Sequence, residues 1–338
     1  MKKPGNGFIT VGVTLTLLCF LMSCGGGGGG ASTSRGGGMN ALLTSSNAGE
    51  VGDTVVQAVK LVAPTSAMGD LRTSRISSVK RPPLSSILEK VVSASANGGV
   101  TIHSEALTTI NNNCADGGNI AINIDSVNPL NKVINADVDV NSCTTGTETL
   151  NGTMNVRYVM NSIGDLADPT LNSLKDFEKV TITTSHFTYV NTANNDDITL
   201  SGVTLVLKDF TYNGNILTGG SVTLGGSVTG NVAGDSINVE CDSFRLVFAS
   251  DPAGNMTVSV SGRIDASCLG GWVDMVTNVP VFIPANGGCP TAGDIVASAG
   301  GDSVRVVIAG NSAITIFFNN DPIQTFNSCN EVEGLCTG

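Results

Sequence analysis

From about residue 118 the chain alternates. Ile120, Ile122 and Ile124 are separated by Ala121, Asn123 and Asp125, and beyond Asn128-Pro129-Leu130-Asn131 the pattern resumes. There Ile134, Ala136, Val138 and Val140 alternate with Asn135, Asp137, Asp139 and Asn141. A period of two places one set on each side of a strand, which predicts two half-buried strands joined by a short turn. Longer runs repeat the pattern, with Leu150 to Met160 set against Asn151, Thr153, Asn155 and Arg157, and Met256 to Ile264 set against Thr257, Ser259, Ser261 and Arg263. Alternation of this kind belongs to antiparallel sheets with one wet face. Two stretches slip in phase: Ile198 and Leu200 give way to Val203, Leu205 and Leu207 at Gly202, and Ile237 and Val239 give way to Phe244, Leu246 and Phe248. One-residue slips predict β-bulges, which bend a strand and coil its sheet.

Before this region the period is helical. Val51, Val55, Val56, Val59 and Val62 recur at helix spacing with Asp53 or Thr54 placed to cap, and Ser86 with Glu89 forms a capping box ahead of Ile87, Leu88, Val91 and Val92. Between them Arg72, Arg75, Lys80 and Arg81 precede Pro82-Pro83 and read as a solvated connector. After residue 285 three short strands are expected near 294–298, 303–309 and 313–319, enclosed by Cys289 and Cys329. The fold class expected is mainly β: an antiparallel meander, coiled or sandwiched, with short N-terminal helices and a small C-terminal β module. An outer-membrane barrel is the alternative, but one Trp and three Tyr are few for the aromatic girdles of such barrels.

The first 23 residues change the picture. Lys2 and Lys3 precede an apolar run from Phe8 to Met22, too short to span a bilayer, which takes roughly 20 apolar residues. The run reads as a secretory signal peptide. Its ending, Leu21-Met22-Ser23-Cys24, resembles the bacterial lipobox, and the resemblance implies cleavage before Cys24 and acylation of that residue with diacylglycerol and palmitate-type chains. Gly25 stands where lipoproteins kept in an inner membrane carry Asp, so the resemblance implies the outer membrane. The expected organisation is a lipoprotein signal over 1–23 and a lipidated cysteine with a flexible glycine-rich tether over 24–49. A helical segment over 50–100, a β domain over 101–285 and a terminal module over 286–338 follow.

Removing the leader takes the net charge from −11 to −13, which leaves no basic footprint for nucleic acid. Seven cysteines remain beyond Cys24, and in an oxidising envelope they are disulfide candidates. Cys114 and Cys143 are nearly symmetric about the first turn, as are Cys241 and Cys268 about Asp251-Pro252-Ala253-Gly254-Asn255. These pairings are expected, with Cys289 and Cys329 as a third and Cys336 as the odd thiol.

Little chemistry is written in motifs. His103 and His186 have no nucleophile elbow beside them and read as structural; Gly301-Asp302-Ser303 lacks the glycines of an oxyanion hole. Asp137, Asp139, Asn141 and Glu148 match positions 1, 3, 5 and 12 of a calcium-binding loop, yet Ser142 stands where that loop turns on glycine and strand alternation already explains the acids. Calcium is therefore the one metal candidate, and no other cofactor is expected. Asn194-Asn195-Asp196-Asp197 reads as a polar turn.

Apolar-x-Gly steps at Leu150–Gly152, Leu200–Gly202, Leu224–Gly226 and Val260–Gly262 recur among Asn/Thr/Gly strands. With the glycine-tethered leader, Gly271-Trp272-Val273 followed by Pro280, and Cys289-Pro290-Thr291, they resemble β-rich lipoproteins of Gram-negative bacteria. The resemblance brings no activity with it. The function expected is that of a membrane-anchored envelope lipoprotein, structural, adhesive or binding, with a protein or glycan partner and no catalytic centre. The alternatives are an envelope hydrolase whose acids meet only in the fold, or the barrel.

Overall fold

A computed structural model describes residues 40–52, 55, 109–128, 130–161, 177–214, 216–232, 235–266, 269–285 and 289–331. The leader, Cys24, most of the expected helical segment, the basic connector, His103, Cys268 and Cys336 lie outside the described residues.

The described chain is almost wholly antiparallel β, a meander in which each strand neighbours the next in sequence. The strands are β1 (Thr109–Asn113), β2 (Gly117–Asn128), β3 (Val133–Thr145), β4 (Glu148–Met160), β5 (Phe177–Asn191), β6 (Asp196–Asn213) and β7 (Ile216–Val232). There follow β8 (Asp235–Ser250), β9 (Met256–Ala266), β10 (Gly271–Ile283), β11 (Ala292–Ala299), β12 (Asp302–Ile308), β13 (Ile314–Phe318) and β14 (Asp321–Phe326). The contacts divide within β7: residues 109–226 form one compact unit, and residues 40–55 with 227–331 form the other. The division falls at 226, within β7, and β10 pairs antiparallel with β11 with register shifts between Thr277 and Phe282.

In the first unit, Ile120, Ile122, Val138, Val140, Met154 and Val156 are buried while Asp137, Asn155 and Arg157 are exposed, as a period of two requires. Burial then changes phase inside several strands. It steps from Val140 to Cys143 in β3, from Thr184 to Phe187 in β5, from Leu200 to Val203 in β6, and from Cys241 to Phe244 in β8. At the β8 step Ser243 has φ 53°, and the β8–β9 register shifts between Asp242 and Arg245. Gly262 receives this bulge: its φ is 116°, and a Cβ there would lie 2.5 Å from Ser243 O and 2.6 Å from Phe244 Cα. Gly226, at φ 107°, receives the step at Gly202 and Val203 of β6 in the same way. Gly152 faces His186 and Phe187 of β5, and Gly118 faces Asn141 and Ser142 of β3.

In the second unit, the segment directly behind the glycine run is part of the core. Ala41, Leu43, Ala48, Val51 and Val55 are all at most 2% exposed. Asn40 bridges to Trp272 of β10, Ala41 N donates to Trp272 O at 2.9 Å, Gly49 lies against Gln324 and Gly52 against Ile316. The expected tether over 24–49 is therefore too long by ten residues. Composition averaged Ala41, Leu43 and Ala48 into the glycine run, although their apolar side chains have a sheet to cover. The helical turn also begins earlier than the expected cap at Asp53 or Thr54. Thr44 N donates to Asn47 Oδ1 at 2.8 Å and Asn47 N to Thr44 Oγ1 at 3.3 Å, a reciprocal cap ahead of the helical residues at 48–52.

The C-terminal strands fall near their expected places and gain β14, an exposed strand the sequence reading missed. Across β11 and β12 the buried Asp294 accepts two hydrogen bonds from Arg305 Nε, at 3.0 and 3.1 Å, and one from its Nη2 at 2.7 Å. The Arg305 guanidinium also lies over the Phe317 ring at 5.9 Å.

Gly262→Ala is expected to lower stability by at least about 2 kcal/mol, since the new Cβ adds backbone contact to a strained φ. Gly146→Ala, at φ 60° with open space around it, is expected to cost only about 1 kcal/mol. Urea midpoints of the two variants check the difference; equal losses would remove the bulge-receiving role.

Candidate functional site

The wet face of β2 to β5 carries a polar groove of about 410 Å³. Its walls are Asn123 of β2, Asp137 and Asp139 of β3, Thr153, Met154 and Asn155 of β4, and Thr183, Thr184 and Ser185 of β5. Register brings them together: Asn123 is opposite Asp137, Asp137 opposite Asn155, and Asn155 opposite Thr183, while Asp139 is opposite Thr153. The β4–β5 register shifts between Gly152 and Asn155, so the groove sits on a bulge, a position proteins often use to re-aim side chains. Buried Thr184 occupies a core-facing position there and its hydroxyl donates to Thr153 O at 2.7 Å. Asn155 Nδ2 donates to Asp137 Oδ1 at 2.9 Å and Asn123 Nδ2 to Asp139 Oδ2 at 3.1 Å.

The calcium-loop candidate is not assembled. Asp137 and Asp139 share one face of β3, but β3 stays extended to Thr145, and Glu148 pairs with Thr145 and Asn191 at the far end of the sheet. Six residues of strand separate that position from Asp139, about 20 Å. Glu148 instead accepts a hydrogen bond from the Tyr189 hydroxyl at 3.1 Å. Ser142, noted for standing in place of the loop glycine, is the positive-φ residue of the β3 bulge. Among the described residues no three His, Cys, Asp or Glu side chains are grouped to hold a metal ion.

Cys114 is joined to Cys143, closing the open end of the β2–β3 hairpin, and Cys289 is joined to Cys329. The expected Cys241–Cys268 pair is corrected: Cys241 is a free, buried thiol. The β8–β9 register sets Cys241 opposite Ile264, four residues short of Cys268, because the turn centre lies nearer the N-terminus than the cysteine spacing implies. Burial, and then the Glu240 carboxylate beside it, push the Cys241 thiol far above its ordinary pKa, so it is a poor nucleophile.

A second polar cluster lies where the N-terminal segment meets β10. Arg263 lies over the Trp272 ring at 5.1 Å, its Nη2 donates to Asn40 Oδ1 at 3.2 Å, and its Nε is 3.3 Å from Asp274 Oδ1. In the adjacent row Glu240 is directly opposite Asp265. Like charges opposite each other on a sheet repel; partial burial, and then Glu240, raise the Asp265 pKa.

The remaining sequence candidates take structural places. His186 is exposed on β5 opposite Ser201. Asp302 accepts from Asn319 Nδ2 at 2.7 Å and Ser303 N donates to Asn319 Oδ1 at 2.8 Å, which ties the β11–β12 turn to the end of β13. Residues 192–195 form the β5–β6 turn, with Asn195 at φ 57°. Sequence reading found the two aspartates but not Asn123, Asn155, Thr183 or Ser185 as their companions; the only signal was that all lie on polar positions of alternating strands. No family model, curated protein or solved structure matches the chain.

Peptide mapping under non-reducing conditions is expected to return Cys114–Cys143 and Cys289–Cys329 as linked peptides. Cys241 should be alkylated only after unfolding; alkylation in the native state would contradict its burial.

Asp265→Asn is expected to raise Tm at pH 7. With the folded-state pKa above the unfolded value of about 3.9, the ionised carboxyl destabilises the fold above both values. That penalty fades as pH falls through the window between them. The Tm difference between wild type and variant should therefore shrink toward pH 4, and a gap that widens on acidification would reverse the assignment.

Proposed function

We propose that this protein is a lipid-anchored envelope protein whose β fold binds a partner through the polar sheet face of residues 117–206, rather than an enzyme. The anchor reading rests on Lys2, Lys3, the apolar run and Cys24. One observation carries the binding reading: at the groove, amide and carboxylate side chains from three strands are held in hydrogen-bonded pairs, one directly across the ladder and one diagonal, an arrangement that presents polar groups to a partner. Asp137 and Asp139 stand two residues apart on one side of one strand. A glycosidase needs its two carboxyls on opposite sides of the scissile bond.

Asn40, bridged to Trp272, is the first described residue, and Cys24 lies upstream of it in the sequence. Fifteen residues lie between the two, and a chain of that length reaches at most about 55 Å when extended. The proposal places the β fold within that distance of the outer membrane. Several acyl chains at about 0.8 kcal/mol per buried methylene hold it there.

Cys24→Ser is expected to abolish palmitate incorporation and membrane retention while the fold persists, since the core described from Ala41 onward is held by its own apolar contacts and two disulfides. Membrane fractionation, metabolic palmitate labelling and circular dichroism of wild type and variant read all three. Equal labelling of both proteins, or a soluble wild type, would reduce Leu21 to Cys24 to the end of a simple secretion signal.

A further inference from the structure

The groove over β2 to β5 has a definite hydrogen-bonding polarity. Each aspartate spends one oxygen on the amide of a neighbouring asparagine, Asp137 Oδ1 on Asn155 and Asp139 Oδ2 on Asn123. Among the described residues no protein donor engages Asp137 Oδ2 or Asp139 Oδ1, and each asparagine keeps its carbonyl oxygen and one N–H beyond the hydrogen bond it gives. Acceptors outnumber donors on this wall, and two of them are carboxylate oxygens. On the β4 and β5 side, the hydroxyls of Thr153, Thr183 and Ser185 line the groove and make no hydrogen bond within the described residues. That wall can donate or accept. Among the described residues no lysine or arginine lines the space.

A ligand that matches both walls must donate toward β3 and either donate or accept toward β5, within a few ångströms. An anion serves the second wall but is repelled by the two carboxylates of the first. An ammonium serves the first but leaves the donor capacity of the hydroxyls unused. A saccharide hydroxyl both donates and accepts, and a chain of them serves both walls at once. We infer that the groove of Asn123, Asp137, Asp139, Asn155, Thr183 and Ser185 is a binding site for a neutral, hydroxyl-rich saccharide chain. This deepens the envelope-binding reading and rests on it. The volume of about 410 Å³ is within the range of small-ligand sites. The Asn–Asp pairs fix the carboxylates before a ligand arrives, which lowers the ordering cost of binding.

The test uses the full-length protein in mild detergent, titrated by calorimetry with a panel of neutral gluco-, manno-, galacto- and N-acetylglucosamine tetrasaccharides, a tetra-uronate and calcium chloride. At least one neutral tetrasaccharide is expected to bind saturably and the tetra-uronate not to bind. The double variant Asp137→Ala/Asp139→Ala should weaken the neutral ligand roughly ten- to a hundredfold, the loss expected for hydrogen bonds to charged groups. Thr183→Tyr fills the groove while leaving all four residues of the Asn–Asp pairs in the sequence and should also abolish binding, which keeps the test decisive if the double variant misfolds. The inference is overturned if no neutral tetrasaccharide binds, if wild type and Thr183→Tyr bind equally, or if calcium is the only ligand taken up. Membrane retention dependent on Cys24 would survive each of those outcomes, so failure of the groove and failure of the anchor are separable.

Discussion

A strand with one buried face must keep its side chains in phase with that face, and a long strand in a coiled sheet cannot do so from end to end. Each phase step inserts a residue whose backbone bulges toward the neighbouring strand, at Ser142, near Ser185, at Gly202 and at Ser243. The neighbour must then yield the space a Cβ would fill. Gly118, Gly152, Gly226 and Gly262 do so, each from an adjacent strand. The sheet is thus a set of matched pairs, one residue stepping out and one glycine receiving it, and the apolar-x-Gly recurrence is the sequence trace of the receiving side. Only Gly202 differs, being the step itself and not its receiver.

The groove follows from the same constraint. At the β4–β5 step the register breaks between Gly152 and Asn155, and Thr184 is left facing inward where an apolar residue would otherwise stand. A buried hydroxyl without a partner costs roughly 1 to 3 kcal/mol, and Thr184 avoids this by donating to Thr153 O. That hydrogen bond holds the two strands where Thr153, Thr183 and Ser185 can form one wall of the groove. The opposite wall needs only an unbroken stretch of β3, where Asp137 and Asp139 remain in phase with Val138 and Val140. A register shift in the β4–β5 ladder beside a stretch of β3 that keeps its register with β4 from Val133 to Val140 produces the concavity.

The alternation of isoleucine and valine with asparagine and aspartate was legible as antiparallel sheet, and so were the phase steps at Gly202 and at Cys241 to Phe244, because period and slip are local properties. Cross-strand partners were less so. Cys114 and Cys143 could be paired because they sit at the open end of their hairpin, where an error of one or two residues in the turn centre is harmless. Cys241 lies inside β8, where the bulge and the true turn centre set it against Ile264, and symmetry about the turn misplaced its partner by four residues. The calcium candidate failed for a related reason: positions 1, 3, 5 and 12 converge only if the chain loops, and here it continues as β3 and β4. Asn123 and Asn155 were invisible as companions of the aspartates, since nothing local links residues 16 and 18 positions apart.

The least legible contact joins the ends of the sequence. Residues 40–55 read as the tail of a tether and the start of a helix, yet they complete a core made by strands more than 200 residues later. The sequence spacing makes this closure entropically expensive, and the segment is short, so it needs several independent attachments. It has them: the Trp272 backbone bridge, the Arg263 hydrogen bond to Asn40, the Thr44–Asn47 cap and the apolar contacts of Leu43, Ala48 and Val51. The Cys289–Cys329 disulfide contributes about 4 kcal/mol in the chain-entropy model by restricting the same unit when unfolded. A chain anchored at Cys24 would deliver any pull first to Asn40, and there the guanidinium of Arg263, stacked on Trp272 and set beside Asp274, meets it. The groove, by contrast, is built entirely within residues 109–226.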